Sequence, residues 1–305
     1  MAQCNLCGNE EHLLLIRKYS YKPDKSFNII RCRNCGLISI SPQPSRQELK
    51  KHYSFDSGYH LSLKSKKVQK KKIKQFRKRL MLIKKYKKTG KLLDIGCSTG
   101  LFLDIAKKDG WAVQGIEFSK DTSEIARQKG LDIFTGDLLE FEDKKFDVIT
   151  MWDVIEHTQN PSEILKKAGS MLDENGLLFI ITPNASGVLP KLAYFLFGKT
   201  IKEWAHPEPP GHLFQFSKAT LKKMLNKNNF KIIKIKSEII PMKNTAEIPG
   251  FYLKKRNKNI LEKLLLKPFV LIYQNSMRVL YLLSFPFAKI FNTGDSMLVV
   301  CRKVK

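Results

Sequence analysis

From residue 91 onward the chain alternates short apolar segments with segments of helical periodicity, and this alternation restricts the fold more than any other feature. Apolar strands separated by amphipathic helices form a parallel sheet with helices on both faces. The sequence therefore predicts an α/β fold with a doubly wound, mostly parallel, seven-stranded sheet. The predicted strands are Lys91–Cys97, Ala112–Glu117, Asp132–Thr135, Phe146–Trp152, Leu177–Thr182, Phe230–Ser237 and Ser296–Arg302. Helices are predicted over 100–109, 119–129, 161–172 and 218–228, with a turn at Asn175-Gly176.

Four groups of polar or glycine residues follow the first four predicted strands. Ligands of such sheets bind at the carboxyl ends of the strands, so these groups are expected to meet at one edge. Glycines allow a sharp turn from strand to helix, and a carboxylate ending the second strand can accept hydrogen bonds from both hydroxyls of a ribose. The groups are Asp94-Ile-Gly96-Cys-Ser98-Thr-Gly100, Glu117, Gly136-Asp137-Leu138 and Trp152-Asp153-Val-Ile-Glu156-His157.

Taken in this order, the four groups resemble the class I S-adenosylmethionine-dependent methyltransferases. The resemblance covers about residues 80–237 plus the last strand, and it is closest to the small-molecule branch that includes the quinone-biosynthesis enzymes. A dinucleotide-binding protein would need G-x-G-x-x-G, which the spacing of Gly96 and Gly100 does not match. The implied fold is the Rossmann-like methyltransferase fold, and the implied cofactor is S-adenosyl-L-methionine.

The resemblance also implies roles for individual residues. The loop Gly96–Gly100 would lie under the methionine part of the cofactor, and Asp94 would hold the methionine amino group. Ser98 stands where the family often has glycine, and serine tolerates this kind of turn. Further cofactor contacts are expected from Glu117 at the ribose, Asp137 and Leu138 at the adenine, and Trp152 and Asp153 at the end of strand four. The alternative for Asp94 and Asp137 is that they cap loops.

Two histidines are candidates for the general base that a neutral hydroxyl acceptor requires. His212 lies in a proline-rich loop with His206, and the resembling branch places a histidine of that loop near the acceptor. His157 follows strand four, and its alternative is a structural role before Pro161. His212 is favoured slightly. The sequence does not separate oxygen, carbon and nitrogen acceptors, although the absence of N-P-P-[FY] after strand four disfavours exocyclic amines.

Near the amino terminus, two C-x-x-C-G motifs provide four cysteines: Cys4, Cys7, Cys32 and Cys35. Two residues between thiolates let both sulfurs bind one ion, and four thiolates form the tetrahedral set of structural zinc. Leu13–Arg17 and Ser26–Ile30 are strand-like and would form a hairpin between the motifs. The expected cofactor is therefore a structural Zn²⁺ in a zinc ribbon. The alternative is a redox pair or free thiols.

The net charge of +27 is concentrated outside the predicted sheet. Residues 61–91 contain 15 basic residues and no acidic one, while 92–217 contain 12 basic and 19 acidic residues. Ile73, Phe76, Leu80 and Ile83 repeat at helical spacing, which predicts a basic amphipathic helix. Its charged face is a candidate to contact anionic lipid or RNA phosphate, or it is simply solvated.

Two further segments, 187–201 and 260–291, are unusually apolar. Arg278, Gln274 and two prolines make a membrane span within 260–291 unfavourable, so an interfacial helix or a cap over the active site is expected. Apolar segments beside basic ones favour a small or lipid-linked acceptor, such as a glycan or quinone-type precursor, with an anionic membrane surface as candidate partner. A ribosomal RNA base methyltransferase is the alternative function, with RNA the less favoured partner.

These features predict three parts: a zinc ribbon at 1–45, a basic helix at 61–90, and a methyltransferase domain at 91–305 with insertions at 185–216 and 238–294. Residues 1–12 are polar and contain two cysteines, so no secretory signal is expected there. The predicted location is the cytoplasm, with peripheral attachment to the inner face of the membrane.

Overall fold

The computed structural model describes residues 3–19, 25–53, 66–195, 209–238 and 291–304, together with single positions between 268 and 290. The chain divides into two compact units. The first consists of Met1–Pro42, Pro183–Thr220 and Lys236–Leu298, and the second of Gln43–Thr182, Leu221–Ile235 and Val299–Lys305.

The strands are β1 (His12–Tyr19), β2 (Ser26–Cys32), β3 (Ile38–Ser41), β4 (Lys91–Ile95), β5 (Ala112–Glu117), β6 (Ile133–Thr135), β7 (Phe146–Trp152), β8 (Leu172–Pro183), β9 (Phe214–Gln215), β10 (Phe230–Glu238) and β11 (Ser296–Lys303). The α-helices are α1 (Arg46–Tyr53), α2 (Lys66–Lys84), α3 (Leu101–Lys108), α4 (Lys120–Arg127), α5 (Pro161–Met171), α6 (Val188–Ala193) and α7 (Lys218–Lys227).

The first unit contains a four-stranded antiparallel sheet in the order β1-β2-β3-β9. The predicted hairpin is confirmed as β1 and β2, which pair from His12–Cys32 to Tyr19–Ser26. Alternate residues of β2 are buried, among them Phe27 and Ile29, because successive side chains point to opposite faces of a strand. The sheet therefore holds Cys32 at the end of a strand with a buried face.

The larger sheet has the order β10-β11-β8-β7-β4-β5-β6 and confirms the predicted seven-stranded α/β fold. The pairs β4–β5, β4–β7, β5–β6 and β7–β8 are parallel. Most residues of β4, β7 and β8 are buried, as expected for central strands covered on both faces. The order reverses between β5 and β7 on either side of β4, which places the ligand crevice beside the carboxyl end of β4.

The predicted strand boundaries differ from the structure by one or two residues at β4, β6, β10 and β11, and by more at β8, which already begins at Leu172, directly after α5. Phe146 pairs with Leu172 but Val148 pairs with Leu177, so the chain of β8 bulges between these pairs. A Cβ on Gly176 would lie 2.9 Å from Leu172 Cδ2 and 3.0 Å from the backbone nitrogen of Asp173. The predicted turn at Asn175-Gly176 is therefore a tight bulge within a longer strand.

Helix α2 confirms the predicted amphipathic helix from Lys66 onward. Leu80 and Ile83 are almost completely buried, and the Phe76 ring lies 5.5 Å from that of Phe102 in α3. The apolar side of α2 therefore packs against the rest of the second unit, to which the helix belongs.

A cluster of backbone contacts in the first unit joins the end of β8 to the chain before β11. The backbone N–H of Asn184 donates to Asp295 O at 2.7 Å, and Asn184 Nδ2 donates to Gly294 O at 2.7 Å. A Cβ on Gly187 would lie 2.8 Å from Gly294 O, and a Cβ on Gly294 would lie 2.4 Å from Glu238 O. We call this cluster the clasp, and its close approaches leave no room for larger residues.

Some predicted features lie outside the described residues: His206, residues 61–65, and many positions of 260–291. The apolar segment 187–201 is described to residue 195 and begins with α6. In the part of the chain that the structure describes, no helix is both long and apolar enough to cross a bilayer.

Candidate active site

The loop after β4 turns through three left-handed residues, Gly96 (φ 72°), Ser98 (φ 51°) and Gly100 (φ 73°). A Cβ on Gly96 would lie 2.6 Å from Val154 Cγ2, and one on Gly100 would lie 2.4 Å from Leu131 Cδ1. Both glycines are therefore required by space as well as by backbone conformation. The structure places Ser98 at a left-handed position, where glycine has no strain and serine has some.

Glu117 at the end of β5 is 7% exposed and connects two loops. Its Oε2 accepts a hydrogen bond from the backbone N–H of Ser98 at 2.7 Å, and its Oε1 accepts one from that of Ser119 at 2.8 Å. Burial raises the pKa of Glu117, and these backbone donors oppose that shift. A carboxylate has about four acceptor sites, so a side chain of this type at a strand end is suited to a ligand with hydroxyl donors.

Asp94 lies near the carboxyl end of β4 and is 2% exposed. Thr150 Oγ1 donates to Asp94 Oδ1 at 2.6 Å. Burial raises the pKa of Asp94 to about 7, while the Thr150 hydrogen bond and the Arg79 charge oppose the shift. A cationic group bound beside Asp94 would favour its ionised form.

Arg79 is a site residue that the sequence analysis missed. It projects from α2, is 8% exposed, and lies with its guanidinium carbon 4.8 Å from the ring centre of Trp152. Its charge lowers the pKa of Asp94. The available signal was a cation on the same helical face as Phe76, Leu80 and Ile83, where an apolar residue is expected.

Trp152, the last residue of β7, and Asp153, which follows it, lie in different environments. The Trp152 ring is 8% exposed and meets Phe102 edge-on at 5.4 Å. Asp153 is exposed and left-handed (φ 57°), and its charge raises the pKa of Lys72 against the larger, lowering effect of burial. Lys72 is thus a second cation of α2 that the sequence analysis did not place here.

Asp137 caps the 3-10 helix Leu138–Glu140. Its Oδ1 accepts from the backbone N–H of Leu139 at 3.0 Å, and Glu140 Oε2 accepts from the backbone N–H of Asp137 at 3.2 Å. Glu140 also pairs with Arg46. Leu138 is 3% exposed. The capping role of Asp137 is therefore present, and its contact with adenine stays a prediction.

His157 sits in a polar chain that the sequence analysis did not foresee. Its Nδ1 lies 2.8 Å from Tyr53 Oη, and its Nε2 lies 3.8 Å from Glu156 Oε1. Glu156 is 1% exposed and accepts a hydrogen bond from Thr182 Oγ1 at 2.9 Å. Burial and then the Asp153 charge raise the pKa of Glu156 far above its usual range.

His212 belongs to the first unit and is half-buried. It precedes Leu213, whose carbonyl accepts from the backbone N–H of Ile40, and the short strand β9, which pairs with β3. The four-stranded sheet thus fixes the backbone next to His212.

The predicted cofactor residues lie together at the carboxyl ends of β4, β5, β6 and β7. Within the described part of the chain, the buried atoms Trp152 Nε1 and Ser119 Oγ have no hydrogen-bond partner at this edge. Two buried carboxylates and two unpaired donors suit a ligand with an ammonium and several hydroxyls. These residues therefore fit an adenosyl amino acid.

The four amino-terminal cysteines form one cluster. Sγ of Cys4 lies 3.5 Å from Sγ of Cys35, Sγ of Cys7 lies 3.5 Å from Sγ of Cys32, and all four sulfurs are within 4.8 Å of one another. Burial raises the pKa of Cys4 and of Cys35. A bound cation would favour the thiolates at both positions, so the donor set fits a structural zinc ion.

Comparison with known proteins gives the chain a family. The model of a family described as "Methyltransferase domain" matches residues 66–235. The chain is 36% identical over 107 residues to the ubiquinone biosynthesis O-methyltransferase of Glaesserella parasuis serovar 5 (strain SH0165), covering 31% of this chain and 45% of the relative. It is 35% identical over 130 residues to the enzyme of that name from Caulobacter vibrioides (strain ATCC 19089 / CIP 103742 / CB 15), covering 39% and 50%.

The fold is shared with the crystal structure of magnesium protoporphyrin IX methyltransferase from Synechocystis PCC 6803 with bound SAH. The TM-score is 0.50 at 17% identity, over 63% of this chain and 92% of that chain. The chain spans about half the length of the curated relatives it matches.

Proposed function

Because the chain belongs to the methyltransferase domain family, we propose that it transfers a methyl group from S-adenosyl-L-methionine to a small or lipid-linked acceptor. The acceptor group is a hydroxyl of a glycan or quinone-type precursor. The observation that carries the proposal is the pair of buried acids, Asp94 and Glu117, on either side of a left-handed glycine loop. The curated relatives named as O-methyltransferases support oxygen as the acceptor atom.

In this proposal, each residue at the crevice contacts a different part of the cofactor. Asp94 binds the ammonium, Arg79 pairs with the carboxylate, and Glu117 binds the ribose hydroxyls. Asp137 and Leu138 flank the adenine, while Ser98, Trp152 and Asp153 line the methionine end. The cofactor supplies an activated methyl group, so this chain's own contribution is to position the donor, exclude water and accept a proton.

His212 is the proposed base, with His157 as the second candidate. When Tyr53 donates to His157 Nδ1, the neutral imidazole of His157 carries its proton on Nε2 and has no free lone pair. That arrangement supports a positioning role for His157 and leaves proton acceptance to His212.

The zinc ribbon is proposed to be structural. Cys4, Cys7, Cys32 and Cys35 supply four thiolates, which fill a tetrahedral shell and leave no position for a substrate. The ion would connect the turn at Cys4–Cys7 to the end of β2.

The location that we propose is the cytoplasm, with peripheral attachment to the inner membrane face. This follows from the concentration of basic residues in 61–91 and from the apolar character of 187–201 and 260–291. Such a surface would bring the enzyme to a lipid-linked acceptor.

The test is to incubate the full chain with methyl-labelled donor and separate lipid, glycan and RNA pools from cells. Label in a lipid or glycan fraction, stable to base and lost with the Asp94→Asn variant, is expected. Label in ribosomal RNA instead would replace this proposal with the alternative base methyltransferase. No transfer to any pool, with donor bound, would contradict enzymatic function.

A further inference from the structure

One side of helix α2 presents a continuous basic surface. With about 100° of rotation per residue, six side chains fall within roughly 100° of the helix circumference. All six are exposed, and one of them, Met81, has 61% of its surface accessible. We call this surface the basic face of α2, and its residues are Lys70, Lys74, Arg77, Lys78, Met81 and Lys85, the last immediately after the helix.

The opposite side of α2 determines that this face points outward. Phe76, Leu80 and Ile83 pack on the second unit, and Arg79 lies over Trp152 in the cofactor crevice. A helix held by four such contacts cannot rotate to bury its lysines. The basic face is therefore a fixed feature of the second unit.

In the part of the chain that the structure describes, no ion pair neutralises the charge of this face. Residues 61–91 contain no acidic residue. Among the described residues, the ion pairs of this region are Lys84–Asp109 and Lys87–Asp147. Neither Lys84 nor Lys87 belongs to the basic face of α2. Five cations thus lie along about four helical turns without a carboxylate among them, which favours a polyanionic partner.

The composition of the face distinguishes between two polyanions. Surfaces that hold single-stranded nucleic acid combine cations with aromatic rings on which bases stack. Here the aromatic side chain of the helix, Phe76, points inward against Phe102, and the exposed apolar residue is the flexible Met81. Four of the five cations are lysines, whose long stems reach the headgroup region while the apolar side chain enters it.

We propose that the basic face of α2 docks on an anionic phospholipid bilayer, with Met81 inserted between the headgroups and the five cations paired with lipid phosphates. The inference rests on the proposed peripheral attachment and names the surface that produces it. Each cation near an anionic bilayer raises the partition coefficient by roughly fivefold.

The experiment is sedimentation of the full zinc-loaded chain with vesicles of phosphatidylcholine, with and without phosphatidylglycerol. Wild type is expected to bind the anionic vesicles, less tightly as salt is added, and to leave the neutral ones unbound. The variant Lys74→Gln/Arg77→Gln/Lys78→Gln is expected to bind about 100-fold more weakly. Met81→Ser is expected to weaken binding without changing its salt dependence.

A matched control variant tests whether the loss of vesicle binding is specific to the basic face of α2. Lys222→Gln/Lys223→Gln/Lys231→Gln removes the same charge from exposed positions of α7 and β10. Equal losses in both triple variants would show that net charge alone is responsible and would overturn the proposal. Wild type that ignores anionic vesicles but binds RNA through the same three residues would overturn it in favour of a nucleic acid.

Cofactor binding by calorimetry, measured in parallel, separates this proposal from the proposed function. A triple variant that binds S-adenosylmethionine normally but not vesicles is folded, and it supports the docking surface. Vesicle binding without any methyl transfer would contradict the proposed function and leave the docking surface intact.

Discussion

At the scale of single residues, Asp94 and Glu117 contribute to the proposed site in different ways. Asp94 is buried with one hydroxyl donor, whereas Glu117 also ties the glycine loop to the end of β5. Loss of Glu117 therefore removes a ligand contact and a loop contact together. Loss of Asp94 removes chiefly the counter-charge of the bound ammonium.

We expect Asp94→Asn and Glu117→Gln each to weaken S-adenosylmethionine binding by about 10- to 100-fold, because each removes a hydrogen bond to a charged group. Isothermal calorimetry measures the loss. Glu142→Gln, at an exposed position, is the matched control and should bind normally. Unchanged affinity in both site variants would mean that the crevice between Gly96 and Glu117 does not hold the cofactor.

The raised pKa of Asp94 predicts a pH dependence of cofactor binding. The ammonium requires the ionised carboxylate, so affinity should fall by about tenfold per pH unit below pH 7. In the free protein the sign is opposite: the pKa is raised from 3.8, so the protonated carboxyl favours folding. This contribution to stability is present below about pH 4 and is lost as the pH rises to 7.

Arg79→Gln tests the cause of this pH dependence. The Arg79 charge lowers the pKa of Asp94, so its removal should move the midpoint of binding to higher pH and weaken binding at neutral pH. Calorimetry across pH 5–9 measures the midpoint. Asp94→Asn should show no such midpoint, and an Arg79→Gln midpoint equal to that of wild type would argue against contact between the two groups.

Measurements of kcat on variants should distinguish the roles of His212 and His157. His212→Gln is expected to lower kcat by about 10²- to 10⁴-fold with cofactor affinity unchanged, as loss of a general base does. Tyr53→Phe is expected to have a smaller effect, because it removes only the hydrogen bond that positions His157. The reverse order, with His157→Gln the more severe variant, would make His157 the base.

At the scale of elements, the strands with the strongest patterns could be predicted to the residue. Ala112–Glu117 and Phe146–Trp152 match the structure to the residue, because each is a short, mostly apolar segment between a turn and a polar group at the carboxyl end. Strand β9 could not be predicted, because its two residues pair with Ile38 and Ser39, far away in the sequence, and leave no local pattern.

The candidate site was predictable where its residues follow strands in chain order, since parallel strands bring their ends to one edge. Arg79, Lys72 and Tyr53 come from helices before the sheet, and only tertiary packing brings them to this edge. A helical wheel does show Arg79 on the apolar face of α2. The wheel does not show which residues Arg79 packs against.

The zinc cluster gives a prediction for the four-stranded sheet. The full chain should contain one zinc per molecule by atomic emission, and Cys32→Ser should lose the metal and lower the Tm, because metal binding contributes folding free energy. Cys301→Ala, at a buried cysteine outside the cluster, is the control and should retain zinc. Full metal content in Cys32→Ser, or none in wild type, would contradict a four-thiolate site.

At the scale of the whole molecule, charge and chemistry are separated along the chain. The mildly acidic block 92–217 contains most of the proposed cofactor residues, and the strongly basic stretch lies before it. Helix α2 lies in the basic stretch, but it also contributes to the proposed site, because Arg79 packs on Trp152 while the basic face of α2 points outward. The sequence shows the charge asymmetry directly, but the assignment of each cation to one side required the packed helix.

The clasp has a consequence for how such a protein can diversify. Within it, the close approach of Gly294 to Glu238 fixes the points at which the chain leaves β10 and returns before β11. Doubling the length of a segment anchored at both ends costs only about 0.6 kcal/mol in closure entropy. Segments of new length and composition can therefore be exchanged between these anchors over evolutionary time, so that acceptor preference changes while the donor-binding sheet stays the same.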